Sequence, residues 1–272
     1  MVTFCKKVYM DKGGIMNLDC FYCGDAIEIM STFPEESVDL ICADPPYNLG
    51  KDYGNTIDKK DWAEYEKFTR QWIKEAVRIL KHNGTIYVFM GVRFISSLYT
   101  MLENDFGLIF NGWITWHYTQ GMGRTKGFSP RHEDILYFVK GRDYTFNLND
   151  IRIPQKYYRQ RNNMEGANPG DVWQFSHVHY CSKEREEHPT QKAEGVMERM
   201  ILASSKLGGI VLDPFVGSGT TCKVAKTLRR HWIGIDINPT YIAVSEKRMS
   251  ISTTLFDSID PRINREPLDL KK

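Results

Sequence analysis

The sequence predicts an α/β fold: a doubly wound, mainly parallel sheet with one late antiparallel strand. Three observations predict it. Short apolar runs alternate with helical stretches along most of the chain. Two of those runs end in Asp-Pro turns, Asp44-Pro45 and Asp213-Pro214, as strands do where they deliver side chains to a sheet edge. The length of 272 residues and an apolar fraction of 42% suit one large domain, or one domain carrying an insertion.

Residues 38–43 form an apolar run closed by Pro45-Pro46, which fits a buried strand ending at a loop. Residues 62–80 place Trp62, Tyr65, Phe68, Trp72, Ile73, Ala76, Val77 and Leu80 at three- and four-residue steps, so a helix is expected, with Asp61 as its cap. Asn83-Gly84 ends it, and 85–90 returns as a strand parallel to the first. Two further strands are expected at 112–118 and 135–139, with a glycine-rich basic loop at 121–131 between them. From 144 to 187 the periodicity weakens, and we read an insertion or small recognition lobe within a single domain spanning 1–272. Order returns with a helix at 193–205, a strand at 210–212, a glycine-rich turn, and a helix to about 228. A strand at 232–235 ends on Asp236, and a helix covers 239–248. The charged tail after Phe256 contains Pro261 and Pro267 and is expected to be loosely ordered.

No apolar run reaches the length of a membrane span, and residues 1–14 lack the apolar core of a signal peptide, so a cytoplasmic protein is the default expectation. Cys20 and Cys23 form a C-x-x-C inside a strand-like stretch. No second close pair of ligands accompanies it, so neither a metal site nor redox chemistry is expected. Net charge is only +2, but residues 124–161 hold nine Lys/Arg against four Asp/Glu, with Phe146, Tyr157 and Tyr158 interleaved. Such a segment suits phosphate contact and base stacking, and equally a solvated loop face. Its candidate DNA contacts are Lys126, Arg131, Lys156, Arg159 and Arg161.

Two constellations carry chemistry. In the first, residues 211–221, a strand enters Asp213-Pro214-Phe215-Val216-Gly217-Ser218-Gly219-Thr220-Thr221 and a helix opens. Glycines allow close backbone approach, and a helix N-terminus offers free N–H groups. The next strand ends in Asp236, where a carboxylate can accept both hydroxyls of a ribose. An adenosine-bearing cofactor fits. A P-loop lysine is lacking, and Cys222 stands where a dinucleotide fingerprint needs a third glycine. A tight turn without a ligand is the bland alternative. The second constellation is Asp44-Pro45-Pro46-Tyr47 at a strand's carboxyl end. The Asp44 carboxylate and the Pro45 carbonyl can accept the two hydrogens of an amino group, turning its lone pair toward an electrophile, while Tyr47 offers a stacking face. A rigid Pro-Pro turn plugged by a tyrosine is the alternative.

Together these motifs resemble those of amino-group DNA methyltransferases. The catalytic motif precedes the cofactor motif by about 170 residues, an order that resembles the permuted β arrangement common in bacterial restriction–modification enzymes. His188-Pro189-Thr190-Gln191-Lys192 strengthens the match, although Ala193 stands where a proline is usual. So does the stretch from Trp113 to Phe138, with a Gly-x-Gly and the pair His132-Glu133. The resemblance covers roughly residues 17–249. It implies the fold of S-adenosylmethionine-dependent methyltransferases, with that cofactor held by Asp25 near the adenine amino group, Asp236 on the ribose, Lys192 toward the methionine end, Asp213 and Phe215, and the loop Gly217, Ser218, Gly219, Thr220 and Thr221. It implies a double-stranded DNA substrate, methylation at N6 of an adenine extruded from the duplex, and residues 144–187 as the target-recognition region. Relatives are often homodimers, and many work beside a restriction endonuclease acting on the same site. Cytosine N4 is the alternative target, but there the family tends to carry Ser-Pro-Pro rather than Asp-Pro-Pro. A DNA-binding module without catalysis is the alternative from another class.

Overall fold

The computed structural model describes residues 16–52, 58–119, 121, 123–155, 165–179, 181–182, 184–186 and 188–250. Lys156, Arg159 and Arg161, with Tyr157 and Tyr158, lie outside them.

In chain order the elements are β1 (Cys20–Cys23), α1 (Ala26–Ser31), β2 (Val38–Ala43), α2 (Trp62–Ile79), β3 (Leu80–Met90) and α3 (Ile95–Thr100), which continues as a π-helical turn at Met101–Asp105. Then come β4 (Ile109–His117), β5 (His132–Val139), α4 (Leu148–Ile151), β6 (Val172–Gln174), α5 (Glu194–Ser204), β7 (Ile210–Asp213), α6 (Thr220–Thr227), β8 (His231–Asp236) and α7 (Pro239–Ser250).

The strands form one eight-stranded sheet in the order β1-β8-β7-β2-β3-β5-β4-β6. Only β5 runs against its neighbours; every other pairing is parallel. The expected antiparallel strand is therefore this one.

Strand alternation divides β2 between two cores. Leu40 and Cys42 pack on one face with Val196, Met200 and Ile201 of α5 and Val224 of α6. Ile41 and Ala43 pack on the other with Met30 of α1, Trp72 and Ile73 of α2, and Leu98 of α3. Burial on both faces is why these strands read as continuous apolar runs. The expected cap of α2 is present, with the Asp61 carboxylate accepting from the Glu64 N–H at 2.9 Å.

Three features differ from the reading of the sequence. The strand expected to start at 85 begins at Leu80, directly off α2, with a register shift between Val38 and Leu40 on its partner. β4 begins at Ile109, three residues earlier than expected. The segment 144–187 contributes to the main body: β6 is the edge strand beside β4, and Ile151, Trp173 and Val178 are buried in the core under α5.

Among the described residues, no helix is long and apolar enough to cross a membrane, and no cluster of three or more His, Cys, Asp or Glu could hold a metal ion. Cys20 and Cys23 lie on β1, where the Cys20 thiol donates to the Asn17 carbonyl.

Candidate active site

β2 and β7 are parallel neighbours, with Leu40 opposite Val211 and Ile41 opposite Leu212. Their carboxyl ends carry Asp44 and Asp213. The two constellations, far apart in sequence, therefore share one rim of the sheet.

On the β2 side, Pro45 is buried and the Tyr65 hydroxyl of α2 donates to the Pro46 carbonyl at 2.7 Å. Among the described residues no hydrogen bond goes to the Pro45 carbonyl. The Tyr47 ring passes over Gly91, where an added Cβ would stand 3.4 Å from the ring. The Tyr47 hydroxyl donates to Asp44 Oδ1 at 2.8 Å and lies 3.4 Å from Glu133 Oε2. Lys192 Nζ sits 2.8 Å from Asp44 Oδ2 and 3.2 Å from Glu133 Oε2. Asp44, Lys192, Glu133 and Tyr47 thus close a ring of hydrogen bonds. Lys192 is only 6% exposed. Burial alone would lower its pKa; the Asp44 and Glu133 carboxylates more than offset this and raise it above the ordinary lysine value, so the ammonium is charged. Lys51 also interacts electrostatically with Asp44, Glu133 and Lys192, so two carboxylates stand against two lysines here. Trp116, Tyr118 and His177 cluster beside these groups: the Trp116 and His177 rings lie 5.9 Å apart and nearly parallel, and Tyr118 meets Trp116 edge-on and His177 at a tilt.

On the β7 side, the loop is shaped from beneath. Asp213 Oδ1 accepts from the Phe215 N–H at 3.0 Å, and Oδ2 from the Thr221 hydroxyl at 2.5 Å. Burial lifts the Asp213 pKa to about 7, against the pull of those two bonds. Asp236 Oδ2 accepts from Gly217 N–H at 2.9 Å and Oδ1 from Asn238 N–H at 2.8 Å; burial raises its pKa as well. Gly217 has φ +50°, and a Cβ there would stand 2.7 Å from the His188 ring; Gly219, at φ +77°, would meet Ser245. Only glycine fits both the backbone and the space. Burial lowers the His188 pKa to about 4, so this ring against the loop is neutral at pH 7. Arg248 of α7, 3% exposed, donates to the Ser218 carbonyl and the Thr220 hydroxyl. Phe215 packs edge-on against Trp72, with ring centroids 5.5 Å apart. Asp25 follows β1, whose Cys23 pairs with Asp236, and it caps α1 through Oδ1.

The structure therefore brings together Asp44, Pro45, Pro46, Tyr47 and Lys192 on one side, and Asp25, Asp213, Phe215, Gly217 to Thr221 and Asp236 on the other. The side chains of Ser218, Thr220 and Thr221 are buried, and Gly217 and Gly219 are buried with them. Lys192 faces the target-side carboxylates. Lys126 is exposed and Arg131 half-buried on the β4–β5 loop, where neither makes any of the hydrogen bonds just described. Sequence reasoning missed Glu133 as a partner of Lys192, although its His-Glu pair had drawn notice. It also missed Tyr65, His177 and Arg248, for which a helical stripe, a weakly periodic stretch and a helix end gave no signal.

Residues 38–247 match the family described as DNA methylase. The chain is 57% identical over 249 residues to the type II methyltransferase M.HpaI of Haemophilus parainfluenzae, covering 91% of this chain and 79% of that protein. It is 38% identical over 245 residues to the DNA adenine methyltransferase YhdJ of Escherichia coli (strain K12), covering 85% and 82%. Among solved structures, the PvuII DNA methyltransferase (cytosine-N4-specific) aligns with TM-score 0.71 at 19% identity, over 87% of this chain and 88% of that one. The M1.HpyAVI–SAM complex aligns with TM-score 0.65 at 27% identity, over 85% and 99%.

Proposed function

This chain belongs to the DNA methylase family, and on that premise we propose that it transfers the methyl group of S-adenosylmethionine to N6 of an adenine turned out of duplex DNA. The observation that carries the reading is the shared rim: Asp44 and the glycine loop stand at the carboxyl ends of adjacent parallel strands. Asp44 at the head of its motif, where the cytosine-N4 pattern has serine, supports adenine. So does the likeness to an adenine methyltransferase at 38% identity.

The residues fit the cofactor. Asp25, just past β1, and Asp236, at the end of the neighbouring β8, present carboxylates suited to an adenine amino group and ribose hydroxyls. Between Asp213 and α6 the loop backbone is already fixed by Asp236, Arg248 and Ser245. When bound, S-adenosylmethionine supplies a methyl group on a sulfonium, the electrophile. Asp44 accepts one hydrogen of the target amino group and the Pro45 carbonyl the other, drawing the nitrogen out of conjugation with its ring. Tyr47 supplies the stacking face, its tilt fixed by its hydroxyl. Lys192 and Tyr47 hold the two oxygens of Asp44, so the acceptor is oriented before the base arrives. Lys126 and Arg131, with Lys156, Arg159 and Arg161, meet phosphates, and a restriction endonuclease reading the same site is the partner this reading implies.

The test is single-turnover transfer from labelled cofactor to DNA, followed by nucleoside analysis. N6-methyladenine is expected, with Asp44→Ala folded and nearly inactive. N4-methylcytosine would overturn the base assignment, and wild-type turnover by Asp44→Ala would overturn the mechanism.

A further inference from the structure

We propose that Phe128, at the tip of the β4–β5 loop, is a wedge that enters the base stack of duplex DNA as the target base leaves it. The proposal rests on the reading of this chain as a base-flipping methyltransferase. The loop leaves β4 at its carboxyl end, on the rim that carries Asp44, and returns at His132, one residue before Glu133 of the hydrogen-bonded ring. Its base is pinned: the Tyr118 N–H donates to the Arg131 carbonyl at 2.9 Å and the Tyr118 hydroxyl to the His132 carbonyl at 3.3 Å. Its tip is closed by the Arg124 N–H donating to the Ser129 hydroxyl at 2.8 Å, which holds Phe128 inside a short turn.

Within that turn Phe128 is 98% exposed, the most exposed large apolar side chain among the described residues. A Cβ added at Gly123 or Gly127 would meet nothing within 4 Å, so the tip stands in open solvent. Arg124, Lys126 and Arg131 surround it on the loop. Exposed Leu49, Val92 and Ile237 follow the carboxyl ends of β2, β3 and β8 along the same rim.

Each of these properties is costly or idle in water and useful on DNA. A phenylalanine held clear of the protein gains no burial until something covers it. A duplex from which one base is extruded contains a gap of aromatic height, and an apolar wedge between base steps fills such a gap. Cations beside the wedge meet the phosphates that line it. The site needs the base outside the helix, and Glu133 and Phe128 lie on one short stretch of chain, so the ring that takes the vacant place is tied to the pocket that receives the base.

The test begins with sequencing of DNA from cells expressing the wild-type protein, which maps the methylated base. If no base is methylated, the methyltransferase reading fails and the wedge fails with it. A duplex carrying the mapped site is then compared with one carrying a mismatch opposite the target base, in single-turnover transfer from labelled cofactor. Phe128→Ala is expected to slow transfer to the matched duplex by at least about tenfold, the scale of one lost base–aromatic stack, and to come within about threefold of wild type on the mismatched one, where the base leaves easily. Phe128→Trp should stay near wild type on both, and cofactor affinity should be the same in all three proteins. Wild-type rates for Phe128→Ala on the matched duplex would overturn the proposal. So would an equal loss on both duplexes, or a loss that follows dissociation of a dimer in light scattering, which would make Phe128 a contact between copies of this chain.

Discussion

Lys192→Met isolates the ring that joins Asp44, Glu133 and Tyr47. The ammonium lies 2.8 Å from one carboxylate and 3.2 Å from the other. At an effective dielectric near 20 these attractions are roughly 6 and roughly 5 kcal/mol before the cost of dehydrating the lysine is set against them. That cost is several kcal/mol for a cation so buried, and the net worth of the pairs is correspondingly small. Removing the cation alone is another matter. Both carboxylates stay, 16% and 20% exposed, pointing at one tyrosine hydroxyl. Breaking a buried pair from one side costs about 3–5 kcal/mol, so Lys192→Met should lose that much stability in urea unfolding at pH 8.

Glu133→Gln in the same chain removes one of the two stranded charges. The double variant should therefore recover part of the loss, a coupling of about 1–3 kcal/mol. Methyl transfer by Lys192→Met should fall much further than its affinity for S-adenosylmethionine, because the lysine faces the target-side carboxylates. Strict additivity of the two substitutions would refute the ring. A loss confined to cofactor affinity would move Lys192 to the methionine end of the cofactor, the place implied by its motif.

Tyr47→Phe keeps the stacking face but loses the hydroxyl between Asp44 and Glu133, so transfer should drop about tenfold; Tyr47→Ala should lose roughly 1–3 kcal/mol more, and equal losses would remove the stack. Asp236→Ala should weaken S-adenosylmethionine binding by about 1–3 kcal/mol in calorimetry, and unchanged affinity would take it out of the site. Asp213, buried with a pKa of about 7 against 3.8 for an ordinary aspartate, keeps a proton that the unfolded chain releases, so its contribution to stability is full below about 4 and fades as pH rises through about 7, by about 4 kcal/mol in all. Thermal unfolding of Asp213→Asn should therefore gain on wild type as pH rises across that window; parallel curves would sink the assignment. Light scattering at micromolar concentration is expected to report a homodimer, and a monomer would remove that expectation.

Much of the sheet was legible because its strands are buried on both faces. Residues 38–43, 210–212 and 232–235 read as strands from their apolar runs, and each delivers a carboxylate where the run stops. Lateral order was not legible. Nothing in the periodicity of β1 places it beside β8 at the far edge, since pairing partners depend on crossovers and not on local pattern. The same reason hid Glu133. Its link to Lys192 spans 59 residues and exists only because β5 inserts between β3 and β4. β6 escaped because three residues in a polar stretch carry too little alternation to register as a strand.

The glycine loop shows a subtler limit. Its spacing announces a ligand, and the residue types at 218, 220 and 221 look like ligand donors. Their hydroxyls point inward instead: Thr221 to Asp213, and Ser218 and Thr220 toward Arg248. A motif can thus mark a site correctly while its side chains serve the shape of the turn rather than contact. Gly217 and Gly219 serve that shape too: both are buried at positive φ, with His188 and Ser245 packed where a Cβ would stand. Substituting Thr221 by serine, which keeps the hydroxyl, should accordingly disturb the loop far less than valine, which keeps the shape but leaves the Asp213 carboxylate short of a buried donor.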